Sequence, residues 1–363
     1  MNKTMIGALA MLGGLSAGSA AAQSAVNIYG IVDTGVAYTT NANANGDSVT
    51  KMPTLTGSFP SRLGFRGVED LGGGLNALFV LEMGLSLDTG GNGQGNRPFG
   101  RQAYVGLKNA YGTVMLGRQI NMTYIATLKS DVLGPNLFSI GSIDGYLPNA
   151  RSDNAIGYLG TFSDVTVGAT YSFGRDASAA GGPAATNCPG EVAGNAKACR
   201  QITGLLAYDN KAFGVNVSYD ILYGNTGAAA GLSSSDNSDK RITVNGYVMA
   251  GATKIGGGVI DRITNAATGL SESDLYYLGV SYPVSPLLQL DTQVARRNVK
   301  ASSNDTTMLV ARLTYNLSKR TAVYGALGRM KNDGNSAVAL DAGGTVGIGK
   351  SQNGLMAGLR HSF

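Results

Sequence analysis

The chain has no tryptophan, one histidine and two cysteines in 363 residues. Little nucleophilic or metal chemistry can be built from that inventory. The histidine, His361, stands two residues from the end, where a Ser-His-Asp or Cys-His set could not assemble without moving the terminal segment. No further His or Cys is available to complete a metal site around Cys188 and Cys199. The runs Gly72-Gly73-Gly74 and Gly256-Gly257-Gly258 lack a following Lys-Ser/Thr and a helix, so they read as turn and bend glycines, not as a phosphate-binding loop. No catalytic residue, metal ligand, cofactor or nucleic-acid partner is expected, and the chain reads as a non-enzyme. Long hydrophobic runs are missing too: beyond residue 22 nothing approaches the 18 or more apolar residues a helical membrane span needs. Nor does a Pro- or Ser-rich linker divide the chain, which has only 9 prolines.

What is there begins with an export signal. Lys3 precedes an apolar stretch from Met5 to Leu12, and Ala20-Ala21-Ala22 offers a small-residue cleavage site before Gln23. Residues 1–22 therefore read as a cleaved signal peptide and 23–363 as a single large β-domain. Without Lys3 the mature chain carries 27 Lys and Arg against 23 acids. An oxidising compartment would let Cys188 and Cys199 close a small disulfide loop; the competing reading is a metal pair.

Glycine is abundant at 54 residues, tyrosine common at 17, and mean hydropathy near zero. Sixteen segments of alternating polarity can be drawn: 25–39, 60–69, 74–86, 100–110, 112–119, 153–161, 164–174, 201–209, 212–223, 240–251, 252–264, 274–283, 286–299, 306–317, 319–331 and 351–363. Side chains of a strand alternate between faces. Val26, Ile28, Val32, Val36 and Tyr38 thus oppose Asn27, Asp33 and Gly35. Leu309, Leu313 and Tyr315 likewise oppose Met308, Arg312 and Thr314. Short links such as Leu71-Gly72-Gly73 and Asn109-Ala110-Tyr111-Gly112 alternate with long polar stretches, among them 40–59, 120–151, 175–200, 224–239 and 332–350. An even strand count, with turns on one rim and loops on the other, predicts an all-β, closed outer-membrane barrel. Strands apolar or small on both faces, as at Ala103–Leu107, hint at burial against another subunit.

The informative charges are arginines. Arg62 and Arg66 share the polar face of the second segment, Arg101 opens the fourth, Arg118 ends the fifth and Arg151 follows the long third loop. In a closed barrel these could line one stretch of wall, where cations in a narrow pore favour anions. The competing view is that arginines near strand ends snorkel or solvate the rim. Parity leaves the direction of Arg101 open.

Several segments resemble one family, the trimeric general porins of Gram-negative bacteria, particularly their betaproteobacterial branch. Val26–Asp33, Ser61–Leu75, Phe99–Leu107, Tyr111–Arg118, Leu317–Tyr324 and Gly358–Phe363 carry the likeness, in order and over almost the whole mature chain. The resemblance implies a sixteen-stranded homotrimer, embedded in outer-membrane lipid and lipopolysaccharide, whose third loop (120–151) folds into the lumen. It implies that Arg62, Arg101 and Arg151 face the constriction. Acidic partners would be Asp131 and Asp144 from the loop and Glu82 from the third strand. It also implies that Phe363 is read by the barrel-assembly machinery. The expected function is passive diffusion of ions and small hydrophilic solutes with anion preference. The alternatives are a substrate-specific channel, for example for organic anions, and a surface adhesin with a closed lumen.

Overall fold

The structure, a computed structural model, describes residues 25–178 and 185–363. The expected signal peptide, 1–22, lies outside the described residues. One antiparallel sheet contains β1 (Ala25–Thr39), β2 (Val49–Lys51), β3 (Arg62–Gly72), β4 (Leu75–Gly84), β5 (Gln102–Asn109), β6 (Gly112–Ile120), β7 (Arg151–Phe162), β8 (Val165–Ser172) and β9 (Gln201–Asp209). It continues through β10 (Phe213–Tyr223), β11 (Ser238–Ala250), β12 (Thr253–Ala266), β13 (Gly269–Pro283), β14 (Leu288–Val299), β15 (Thr306–Asn316), β16 (Thr321–Asn332) and β17 (Gln352–Ser362). The three-residue β2 belongs to the first loop and pairs with the end of β1. The other sixteen strands close a barrel.

β1 makes the closure. Its first half pairs with β3 and its second half with β17. Next to that junction, Gly30 and Phe363 exchange both backbone hydrogen bonds at 3.1 Å. The Phe363 ring covers the glycine so closely that a Cβ on Gly30 would lie 2.4 Å from it.

Side chains alternate as the polarity pattern predicts. Val26, Ile28, Val36 and Tyr38 on β1, and Leu309, Leu313 and Tyr315 on β15, are exposed on the outer face. Asp33, Met308, Val310 and Arg312 are buried on the inner face. All sixteen expected strands are present. The largest boundary difference is at β13, which starts at Gly269 because Ala266 and Gly269 pair across a two-residue turn. Every connection on one rim is short. On the other rim, 267–268 and 300–305 are short and the remaining connections are long.

The two glycine runs do different work. Gly72, Gly73 and Gly74 do form a turn, all with positive φ. Gly256-Gly257-Gly258 instead lies inside β12. The reason is close approach: a Cβ on Gly256 would sit 2.4 Å from the Ser130 carbonyl oxygen, where the third loop crosses the wall.

Candidate pore constriction

The third loop, 121–150, joins β6 to β7 and carries the largest apolar cluster of the molecule. Leu133, Leu137, Phe138, Ile140, Ile143 and Leu147 are buried against Ile260, Tyr277, Met308, Met330 and Met356 of the inner wall. Burial of such side chains contributes about 1.5–3 kcal/mol each, enough to hold an irregular segment inside an otherwise wet barrel. Gly354 leaves room for Phe138, whose ring would be 2.7 Å from an added Cβ. Short turns of helix at Met122–Thr127 and Ile140–Ile143 shape the path, the second capped by Ser139 Oγ accepting from the Gly141 N–H at 3.2 Å.

Hydrogen bonds fix both ends and the middle of the loop. Asp220 on β10 accepts from Thr123 Oγ1 at 2.6 Å and from the Tyr146 hydroxyl, so one carboxylate holds the loop's start and its end. Gln201 Nε2 donates to the same carboxylate at 2.8 Å. In the middle, Leu137 N–H donates to Gly57 O at 3.0 Å, Arg312 Nη1 to Leu133 O at 3.0 Å, and Ser142 Oγ to Leu340 O at 2.6 Å.

Beside the loop stands a cationic stretch of wall. Glu82 on β4 accepts from Arg101 Nε at 2.7 Å and from the Tyr29 hydroxyl at 3.0 Å, with Arg62 Nε 3.7 Å away. Arg101 precedes β5, and its backbone N–H donates to Glu82 O at 3.0 Å. Its side chain is therefore not bound by the strand's alternation and turns to the carboxylate. Arg151 donates from Nη1 to Pro148 O at 3.2 Å and lies over the Tyr124 ring, 6.0 Å from its centre. It enters no ion pair among the described residues, and its Nε has no hydrogen-bond partner. Arg101 and Arg151 line a common cavity of about 320 Å³ with Pro135 to Leu137 of the third loop. Arg62 and Arg101 thus share one carboxylate and Arg151 has none among the described residues, leaving two uncompensated positive charges.

The other sequence candidates are elsewhere. Arg66 is exposed on the same face of β3 as Arg62 and stacks over Tyr29, 5.2 Å from the ring centre. Arg118 is not grouped with Arg62 and Arg101. It pairs in regular register with Ala103, sits at a register shift in the β6–β7 pairing, donates from Nε to Gly100 O at 2.7 Å, and joins Arg97, Asp153 and Asp176 in a separate ion-pair cluster. Asp144 does not face the cationic wall: Arg241 Nε holds it at 2.8 Å on β11, and Arg241 also pairs with Asp239 at 2.9 Å. Burial alone would raise the Asp144 carboxyl, but Arg241, and then Arg262, hold it well below the usual carboxylate range. Asp131 accepts from Gln293 Nε2 at 2.9 Å. Of the three expected acidic partners, only Glu82 meets the arginines. Cys188 and Cys199 are joined as a disulfide in the fourth loop.

A family model for Gram-negative porins matches residues 8–335. The chain belongs to the Gram-negative porin family. This porin is 33% identical to outer membrane porin protein 32 of Delftia acidovorans, over the full length of both chains. An outer membrane porin protein of Bordetella pertussis is 30% identical, again end to end. Among solved structures, the anion-selective porin from Comamonas acidovorans superposes with a TM-score of 0.78 at 29% identity, covering 94% of this chain and 100% of that one. OmpT of Vibrio cholerae in its trimer form shares the fold, with a TM-score of 0.64 at 14% identity over 94% and 99% of the two chains. The porin is accordingly an outer-membrane, sixteen-stranded antiparallel barrel.

Residue patterns alone missed three parts of the porin's interior. Tyr29 shares the inner face of β1 with Asn27 and Asp33, so parity could have found it. Arg97 and Asp176 come from separate loops, and no local pattern links them. Arg312, whose Nη2 lies 2.8 Å from its cross-strand neighbour Asp291, also carries the third loop; its face was legible but its bond to Leu133 O was not.

Proposed function

We propose that this porin is a homotrimeric, water-filled diffusion channel for ions and small hydrophilic solutes, with an anion preference set by Arg62, Arg101 and Arg151. One observation carries the reading: Arg62 and Arg101 share a single carboxylate, Glu82, and Arg151, in no ion pair among the described residues, lines the same cavity as Arg101, beside a loop anchored inside the barrel. In a narrow passage, fixed positive charge replaces part of an anion's lost hydration and repels cations. The name of the structurally similar Comamonas protein, an anion-selective porin, points the same way, and the trimer form of the Vibrio relative supports the assembly. Outer-membrane lipid, lipopolysaccharide and the barrel-assembly machinery, the last through Phe363, are its partners in this reading. It does no chemistry on its solutes.

Purified protein inserted into a planar bilayer under KCl tests the reading. The expected record is stepwise insertion, each unit closing in three equal levels, with conductance rising linearly with salt. Conductance that saturates with KCl itself at low concentration would assign a substrate-specific channel instead. A folded trimer without conductance would assign a closed barrel whose loops bind partners.

A further inference from the structure

On the inner wall, beside the two-residue turn between β12 and β13, lies a second cationic pocket that the constriction does not use. It has a volume of about 340 Å³, and its lining includes Arg262, Thr264, Ser271, Ser273, Arg297 and Asn335. The first four are consecutive inward-facing positions of paired strands, with Thr264 opposite Ser271 and Arg262 opposite Ser273. Arg297 follows on β14, opposite Leu275. Its pocket neighbours are mostly hydroxyl and amide groups, with Val299, Ala337 and Val338 forming the apolar part of the lining.

The charges here do not cancel. Asp239 accepts from Arg262 Nε at 2.9 Å and Nη2 at 3.0 Å, from Arg241 Nη1 at 2.9 Å and from Thr264 Oγ1 at 3.0 Å. Asp144 takes the remaining edge of Arg241. Asp305, in the loop at the same end of β14 as Arg297, is paired with Arg296 at 2.8 Å and accepts from the Val299 N–H at 3.0 Å. Every carboxylate facing this patch is thus already engaged. Arg297 joins no ion pair among the described residues, and its Nε has no hydrogen-bond partner. A largely buried guanidinium left this way is costly unless a ligand or water completes it. Its planar fork fits an oxyanion bidentately, whereas a spherical halide cannot use both donors.

We infer that this pocket is a binding station for a small oxyanion, with Arg297 as its anchor and the Ser271 and Ser273 hydroxyls beside it. The station is distinct from the Arg62–Arg101–Arg151 wall. It lies against the long-loop rim, where an incoming solute would meet it before the third loop. The inference rests on the chain being an open channel, but not on its ion preference.

The test is single-channel conductance in KCl with inorganic phosphate or acetate titrated in, the two probes separating phosphate from carboxylate recognition. Either oxyanion should lower chloride conductance along a saturable curve in the wild type. Arg297→Gln should raise the half-saturating concentration at least tenfold, and Arg297→Lys should restore only part, because it keeps the charge and loses the fork. The sign of the zero-current potential should be unchanged in both variants, which also shows the channel to be folded and open. Saturable block that persists unchanged in Arg297→Gln would overturn the station. So would a wild type that conducts, prefers chloride and shows no competition from either oxyanion; that outcome leaves the constriction intact, so the two proposals fail separately.

Discussion

At the scale of single residues, Glu82 decides how much of the arginine charge a solute feels. It neutralises one of three guanidinium groups and positions Arg101 through a 2.7 Å bond. Glu82→Gln keeps the shape and removes the charge. One unit charge at ~8 Å in water is worth about 0.5 kcal/mol, with opposite sign for the two ions, so the chloride-over-potassium permeability ratio should rise about fivefold. Reversal potentials in KCl check this; an unchanged ratio would mean that the carboxylate is shielded from the permeating ion. Arg118→Gln should leave the ratio close to wild type, since that residue is spent on Asp153 and Asp176.

At the scale of elements, the third loop is the part whose position matters most, and Asp220 is its clasp. Asp220→Ala releases Thr123 and Tyr146 together. The expected result is a folded barrel with larger open-channel current fluctuations and faster proteolysis within 121–150. The Asp144–Arg241 pair gives the loop a second hold with a defined pH range. Its carboxyl is lowered in the folded state, so the stabilisation is fully present above the ordinary carboxylate pKa near 4. It is lost only as pH falls through the lower folded value. Arg241→Gln should therefore raise conductance noise by the same factor at pH 7 and pH 4.5; a factor that shrinks at pH 4.5 would contradict the pairing. The strands were legible because a half-buried strand writes its period of two into the sequence, as Leu309, Leu313 and Tyr315 against Met308 and Arg312 show. The loop's span was legible from its length and its inward fold only from the family resemblance; the apolar side chains that anchor it stand in what reads as a long polar stretch. Its partners were not: Asp144 meets Arg241 across 97 positions of chain, and nothing local in either segment records that contact. The close approach at Gly256 was not legible for a related reason, because the space it provides is used by Ser130, far away in sequence.

For the whole molecule, the barrel supplies a scaffold on which opposite charges are mostly paired on the inner wall, as in Arg312–Asp291 and Arg262–Asp239. The uncompensated charge is confined to a few places, chiefly the wall beside the third loop. Ion preference arising from so local a field should depend on ionic strength. The Debye length shrinks from about 10 Å at 0.1 M to about 3 Å at 1 M, so anion preference should weaken as salt rises while conductance increases. Preference independent of salt would point to a binding site that recognises the ion itself.

The measurement that tests the central claim most directly is the zero-current potential across a planar bilayer under a KCl gradient, for the wild type and for Arg62→Glu with Arg101→Glu. The wild type should show the sign of chloride preference. The double variant turns two positive charges beside Glu82 into negative ones, and should reverse the sign while still inserting and conducting as a trimer. A wild type that prefers potassium, or a double variant that keeps the wild-type potential, would contradict the account.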